Sequence, residues 1–124
     1  MNSATAKANE LESRLISFAA AILSVSTKLP KTPQSRHISN QIVRSGTAAA
    51  ANYGEARGAE SRSDFIHKMG IVLKELNETV IWLEIILKAQ LLPNAEIVAV
   101  VSENRELCRI LTAAVKSARA ATNS

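Results

Sequence analysis

A chain of 124 residues is long enough to bury the core of one domain without disulfides or metal, and too short to suggest two. Aliphatic residues and alanine dominate, whereas four Gly, three Pro and four aromatic residues supply little material for the many turns of an all-β fold. The formal net charge of +4 is unevenly placed: residues 28–68 hold seven bases against three acids, and the segments on either side are balanced. Such an excess suits a polyanion such as nucleic acid, but a solvated, solubilising face gives the same count.

The first apolar row is Leu11, Leu15, Phe18, Ile22, Val25 and Leu29, at alternating spacings of four and three. It predicts a helix from about Thr5 or Ala8 to Thr27, stopped by Pro30 and Pro33. Thr32 followed by Pro33 is an N-cap with proline in the first turn, so the second helix should run to about Arg57 and close at Gly58. Its inward face reads Ile38, Ile42, Ser45, Ala49, Asn52 and Ala56, a narrow stripe. Ser45, Gly46, Thr47 and the run Ala48 to Ala51 keep this segment thin enough for a neighbouring backbone to come close. Gly46 and Gly54 cost helix propensity, so close packing or a local bend should explain both.

Ser61 and Asp64 begin the third helix as a capping box. Phe65, Met69, Val72, Leu76, Thr79, Leu83 and Ile86 form its seam, which should extend to about Leu92, where Pro93 ends it. Ile81, Trp82 and Ile85 fall off that seam. They form either an oligomer interface or an intramolecular contact with the first helix. Asn94 can cap the last helix, with Ile97, Val100, Asn104, Leu107, Leu111, Ala114 and Ala118 as its inward row. Four amphipathic helices on short Pro, Gly or Asn connections predict an all-α, antiparallel up-down-up-down four-helix bundle, with residues 1–124 as a single domain.

Motifs for catalysis and for metal or cofactor binding are sparse. His37 and His67 belong to no HExxH or ExxH arrangement, and Cys108, the single cysteine, has no CxxC partner, so no metal site and no cofactor is expected. Cys108 is small core filler, while Asn52, Glu55, Asn77 and Glu78 lie near packed seams, where structural specificity outranks catalysis. The apolar stretch VIWLEIIL is broken by Glu84 and bounded by Glu78 and Lys88, short of the roughly 18 residues that span a bilayer. Without a signal-peptide pattern, the expected location is a reducing cytoplasm.

The stretch QIVRSGTAAAANYGEARGAESRSDF, from Gln41 to Phe65, followed by LKELNETVIWLEI, resembles a bacterial four-helix-bundle family, the S23-type proteins encoded within intervening sequences of large-subunit ribosomal RNA genes. The pattern is matched by Gln41, Arg44, Asn52, Glu55, Arg57, Ser61, Asp64, Phe65, Leu73 and Glu75, across roughly Leu29 to Leu92 and more loosely the whole chain. Ala56 and Gly46 depart from it, where Gly and Ala are usual. The resemblance implies a small basic bundle that assembles into a ring, commonly a homopentamer, with no recognised enzymatic activity. Its fold is similar to that of the accessory variability protein of diversity-generating retroelements, which works with a reverse transcriptase and nucleic acid.

The resulting expectation is a non-enzymatic homo-oligomer whose surface around Lys31, Arg36, Arg44, Arg57, Arg62 and Lys68 binds RNA or DNA through the phosphate backbone, with low sequence specificity. The rival expectation is a scaffold or accessory subunit that uses Ile81, Trp82 and Ile85 to hold a protein such as a reverse transcriptase. An enzyme built around Asn52 and Glu55 ranks third.

Overall fold

The computed structural model describes residues 2–123 as four helices: α1 (Ser3–Lys28), α2 (Pro33–Arg57), α3 (Arg62–Lys88) and α4 (Asn94–Asn123). Three of the four starts carry a side-chain cap, whereas Asn94, the expected cap of α4, is its first helical residue. Asn2 Oδ1 accepts from the Thr5 N–H at 2.8 Å, Thr32 Oγ1 from Ser35 at 3.1 Å and Ser61 Oγ from Asp64 at 3.1 Å. These side chains satisfy N–H groups that a helix start leaves without partners. Pro33, in the first turn of α2, has no N–H to satisfy.

Helices adjacent in the chain pack against one another, and α1 closes the bundle against α4 through its smallest helix pair. This leaves α1 opposite α3, and α2 opposite α4, on the diagonals. The antiparallel up-down-up-down bundle expected from the apolar periodicity is the fold observed.

The core is formed by Leu15, Phe18, Ile22 and Val25 of α1, Ile42 and Ala49 of α2, Val72, Leu76, Leu83 and Ile86 of α3, and Ile97, Leu107 and Leu111 of α4. Two rows differ from the expected ones. On α4, Val101 and Val115 are buried, while Val100, Ala114 and Ala118 are only half-buried, so the inward face is rotated by one residue at both positions. On α2, Tyr53 takes the core position expected for Asn52, which is half-buried and donates to the Ala48 carbonyl of its own helix at 2.9 Å.

Helix α3 ends at Lys88, four residues before the expected limit of Leu92. Gln90 adopts a left-handed conformation (φ 55°), and the Leu91 N–H returns to the Ile86 carbonyl at 3.1 Å. That is a Schellman-type ending, for which glycine is the usual signal. With glutamine there, Pro93 was the more visible stop.

At Gly46 the α2 backbone lies directly against Ile22 of α1. A β-carbon there would lie 2.8 and 2.9 Å from the two γ-carbons of Ile22 and 3.1 Å from its β-carbon. Gly54 is different, because its β-carbon would meet only a Glu12 carboxylate oxygen, at 4.0 Å. Close packing therefore explains Gly46 and not Gly54. The other side of α2 meets α3 through a buried polar contact, with Thr79 Oγ1 lying 2.8 Å from Ser45 Oγ and 2.8 Å from the Glu75 carbonyl.

Asn104 is fully buried on α4. With its amide oriented by its partners, it donates to the Leu76 carbonyl at 3.0 Å and accepts from the Val80 N–H at 3.2 Å. Those two groups are four residues apart on α3, so the side chain brackets one rung of the α3 ladder and sets the register of α4 against it. Cys108, one turn further along α4, is half-buried, and burial pushes its thiol pKa up, keeping it a protonated packing group at neutral pH.

These contacts give stability predictions at three positions, all read by chemical denaturation. Gly46→Ala should destabilise by about 1–3 kcal/mol despite its better helix propensity, and Gly46→Ala with Ile22→Ala should cost less than the sum of the single changes. Gly54→Ala should be neutral or stabilising by up to about 1 kcal/mol. Asn104→Asp should cost about 3 kcal/mol or more at pH 7, because a buried carboxylate cannot donate to the Leu76 carbonyl. A protonated Asp can donate, so its folded pKa is raised and the deficit should shrink as pH falls toward the ordinary Asp value of about 3.9. A deficit that does not change between pH 7 and pH 4.5 would contradict the bracketing role.

Candidate nucleic-acid interface

The six basic residues expected to form one surface lie along the length of the bundle. Lys31 and Arg36 sit at the end formed by the α1–α2 and α3–α4 connections, whereas Arg57, Arg62 and Lys68 sit at the opposite end. Helix α2 separates them, and its 25 residues span about 37 Å at 1.5 Å per residue.

Three of the six are engaged within the chain. Arg44 reaches across from α2 to two carboxylates of α3, with Nη1 3.2 Å from Glu75 Oε2 and Nη2 paired with Glu78 Oε2. Gln41 Oε1 lies 3.4 Å from the same guanidinium. Glu78 Oε2 also accepts from Trp82 Nε1 at 3.0 Å, and the Trp82 ring meets His37 edge-on with centroids 5.9 Å apart. Arg57 pairs with Glu12 of α1 at 3.3 Å, and Lys68 with Glu55 of α2 at 3.5 Å. At the α1–α4 closure, Arg14 forms a two-pronged bond to Glu103, at 2.7 and 3.1 Å. That hydrogen bond is the main reason the Arg14 pKa is raised.

Lys31, Arg36 and Arg62 are exposed and make no ion pair among the described residues. Around Lys31 and Arg36 lie Lys88, also exposed and unpaired, and Lys28, which is 3.5 Å from Glu96. The acids within two turns of this end are Glu96 and Glu84, and Glu84 is paired with Arg105. No carboxylate there is without a cation. Near Arg62 the balance differs, because Glu60 and Asp64 flank it without ion pairs among the described residues. The loop end is therefore the cationic end; Lys28, three residues before Lys31, belongs to it, and so does Lys88, which lies outside the basic segment 28–68.

Ile81 and Ile85 point outward on α3, 58% and 38% exposed, while Trp82 is half-buried against α2. They do not touch α1, which lies diagonally opposite α3. A second exposed apolar pair, Ile16 and Leu23, lies on α1, 57% and 47% exposed. Among the described residues no three His, Cys, Asp or Glu side chains converge as a metal site, and no helix is long and apolar enough to cross a membrane.

Comparison with known proteins places this geometry. No protein of curated function matches the chain. A crystal structure of a protein of unknown function from the S23 ribosomal protein family of Bacteroides thetaiotaomicron is similar, with 34% sequence identity and a TM-score of 0.82 over 89% of this chain and 98% of the other. The pattern that defines the 23S rRNA-intervening sequence proteins matches residues 4–113. With the match covering most of the four-helix bundle, the chain belongs to the 23S rRNA-intervening sequence protein family.

Proposed function

We propose that this protein is a non-enzymatic, cytoplasmic homo-oligomer that binds RNA or DNA through the phosphate backbone. The observation that carries the reading is the loop end, where, among the described residues, Lys31, Arg36 and Lys88 make no ion pair and no unpaired acid lies beside them. Phosphates bind such cations by releasing counterions, whereas Arg44, Arg57 and Lys68 would first have to give up carboxylate partners. Base reading is not expected from this surface. Tyr53 and Phe65 lie at the far end of the bundle, and Trp82 is held by Glu78 and His37.

The apolar pairs on α1 and α3 support assembly. Because they lie on diagonal helices, a two-fold dimer burying either pair against itself leaves the other exposed, whereas contact of α1 in one copy with α3 in the next covers both. Repeated with a rotation that closes, that contact gives a ring, and a pentamer would raise the charge from +4 to +20. The second reading, a scaffold for a nucleic-acid enzyme such as a reverse transcriptase, rests on the same exposed Ile81 and Ile85 with Trp82 beside them.

Binding to structured RNA and duplex DNA across a salt series separates the two. Lys31→Glu, Arg36→Glu and Lys88→Glu combined should abolish binding with no change in oligomer mass, and neutralising one of them should lower the salt slope by up to about 0.9 on duplex DNA. Absence of binding at low salt would overturn the polyanion reading. Partner binding that is insensitive to salt and lost in Ile81→Glu would favour the scaffold.

A further inference from the structure

Residues 69–124 hold six bases and six acids, a neutral count in the sequence. Folding redistributes it. All six acids are in ion pairs, and the partners of four of them, Glu75, Glu78, Glu96 and Glu103, are cations of α1 and α2: Arg44, Lys28 and Arg14. Only Arg105 and Arg109 are held by acids of the segment itself, Glu84 and Glu106. Lys74, Lys88, Lys116 and Arg119 are left exposed and without ion pairs among the described residues. On α3 and α4 the one acid in the same condition is Asp64, two residues from Arg62, which is also unpaired.

These four cations have an order along the bundle. Arg105, Arg109, Thr112, Lys116 and Arg119 recur at steps of four and three, so they share one stripe of α4. The pairing of Arg105 with Glu84 sets that stripe along the edge next to α3. With Asn104 against Leu76 and Val80, the same pairing brings residues 112–119 of α4 beside residues 63–77 of α3, the stretch that carries Lys74. Lys88 stands at the other end, on the last residue of α3 before the connection to α4. From Asn94 to Lys116 and Arg119 the helix rises roughly 33 and 37 Å at 1.5 Å per residue. One turn of a B-form duplex is about 34 Å. A duplex lying along α4 therefore presents the same backbone to the protein at both cationic ends. Between them the stripe is close to neutral, because Arg105 and Arg109 already hold carboxylates.

We infer that a nucleic-acid duplex bound at the loop end continues along α4 and is held a second time, one turn on, by Lys74, Lys116 and Arg119. The inference rests on the polyanion reading above and adds to it a duplex and a path. Assembly through the exposed apolar pairs of α1 and α3 does not use α4. A flexible single strand has no such fixed repeat to match, and the strip offers it no aromatic side chain to stack on.

The test is binding of the full-length protein to a DNA and an RNA duplex of about 30 base pairs, titrated between roughly 50 and 200 mM salt. Lys74→Gln, Lys116→Gln and Arg119→Gln combined should keep binding, because the loop end is intact, but lower the salt slope on DNA by about 2 to 3. Its affinity should then fall about fortyfold less than that of the unmodified protein across that salt range. Lys7→Gln, Arg57→Gln and Lys68→Gln combined remove the same charge from the same end of the bundle, away from α4, and should change the slope by less than about 1. Oligomer mass should be unchanged in both. Binding by the unmodified protein with a slope that the first variant leaves alone would overturn the path along α4 while leaving the loop end standing. A control variant that lowers the slope as much as the first would overturn it too, since net charge would then be the cause. Polyglutamate bound as tightly as the duplex, and lost in the first variant, would assign the strip to an acidic protein instead. No binding to either duplex at low salt would overturn the polyanion reading and this one together.

Discussion

Helix α2 is pressed from two sides, and the bundle depends on its being thin enough to allow it. On one side Gly46 brings the α2 backbone against the branched side chain of Ile22. On the other, the short hydroxyl side chains of Ser45 and Thr79 let α2 meet α3 with a 2.8 Å contact in place of apolar bulk. Both contacts occur in consecutive residues, so the spacing of three helices is set at one level of the bundle. A larger residue at either position would move α1 or α3, and with it the rows that pack on α4. An alanine at Gly46 would require a smaller partner than Ile22 on α1.

The residues that carry the family pattern are mostly engaged in holding the fold together. Gln41, Arg44 and Glu75 form one cluster across α2 and α3. Glu55 and Arg57 each reach another helix, Asn52 bonds its own backbone, and Ser61 and Asp64 build the start of α3. Such a pattern records how helices are registered more than what the surface binds. The cations left over at the loop end, Lys31, Arg36 and Lys88, are on connections and helix ends, where packing makes few demands.

Much of the fold was legible because it rests on local chemistry. Thr32 with Pro33 and Ser61 with Asp64 announce two helix starts, and the seam of α3 from Met69 to Ile86 is buried as its spacing implies. The misreadings arise where a three-dimensional neighbour decides. Gly46 and Gly54 look alike in sequence, but only Gly46 faces Ile22. Val101 and Val115 replace Val100 and Ala114 as buried residues, a rotation that the largely apolar start and alanine-rich end of α4 do not announce. The six basic residues are close in sequence, yet α2 carries them to opposite ends, and carboxylates of α1, α2 and α3 pair with three of them. Lys88 was invisible as their companion because the connection that brings it there is 60 residues away in the chain.

Asn104 has a consequence for how this chain can vary. Where a tight loop sets the offset of two helices, insertion or deletion in the loop shifts every contact below it. Here α4 is held to α3 from within, by an amide on both sides of the Leu76–Val80 rung. Residues 89–93 are thereby released from measuring that offset. The connection between α3 and α4 is thus free to change length without shifting that offset, provided Leu92, which it contributes to the core, keeps its place.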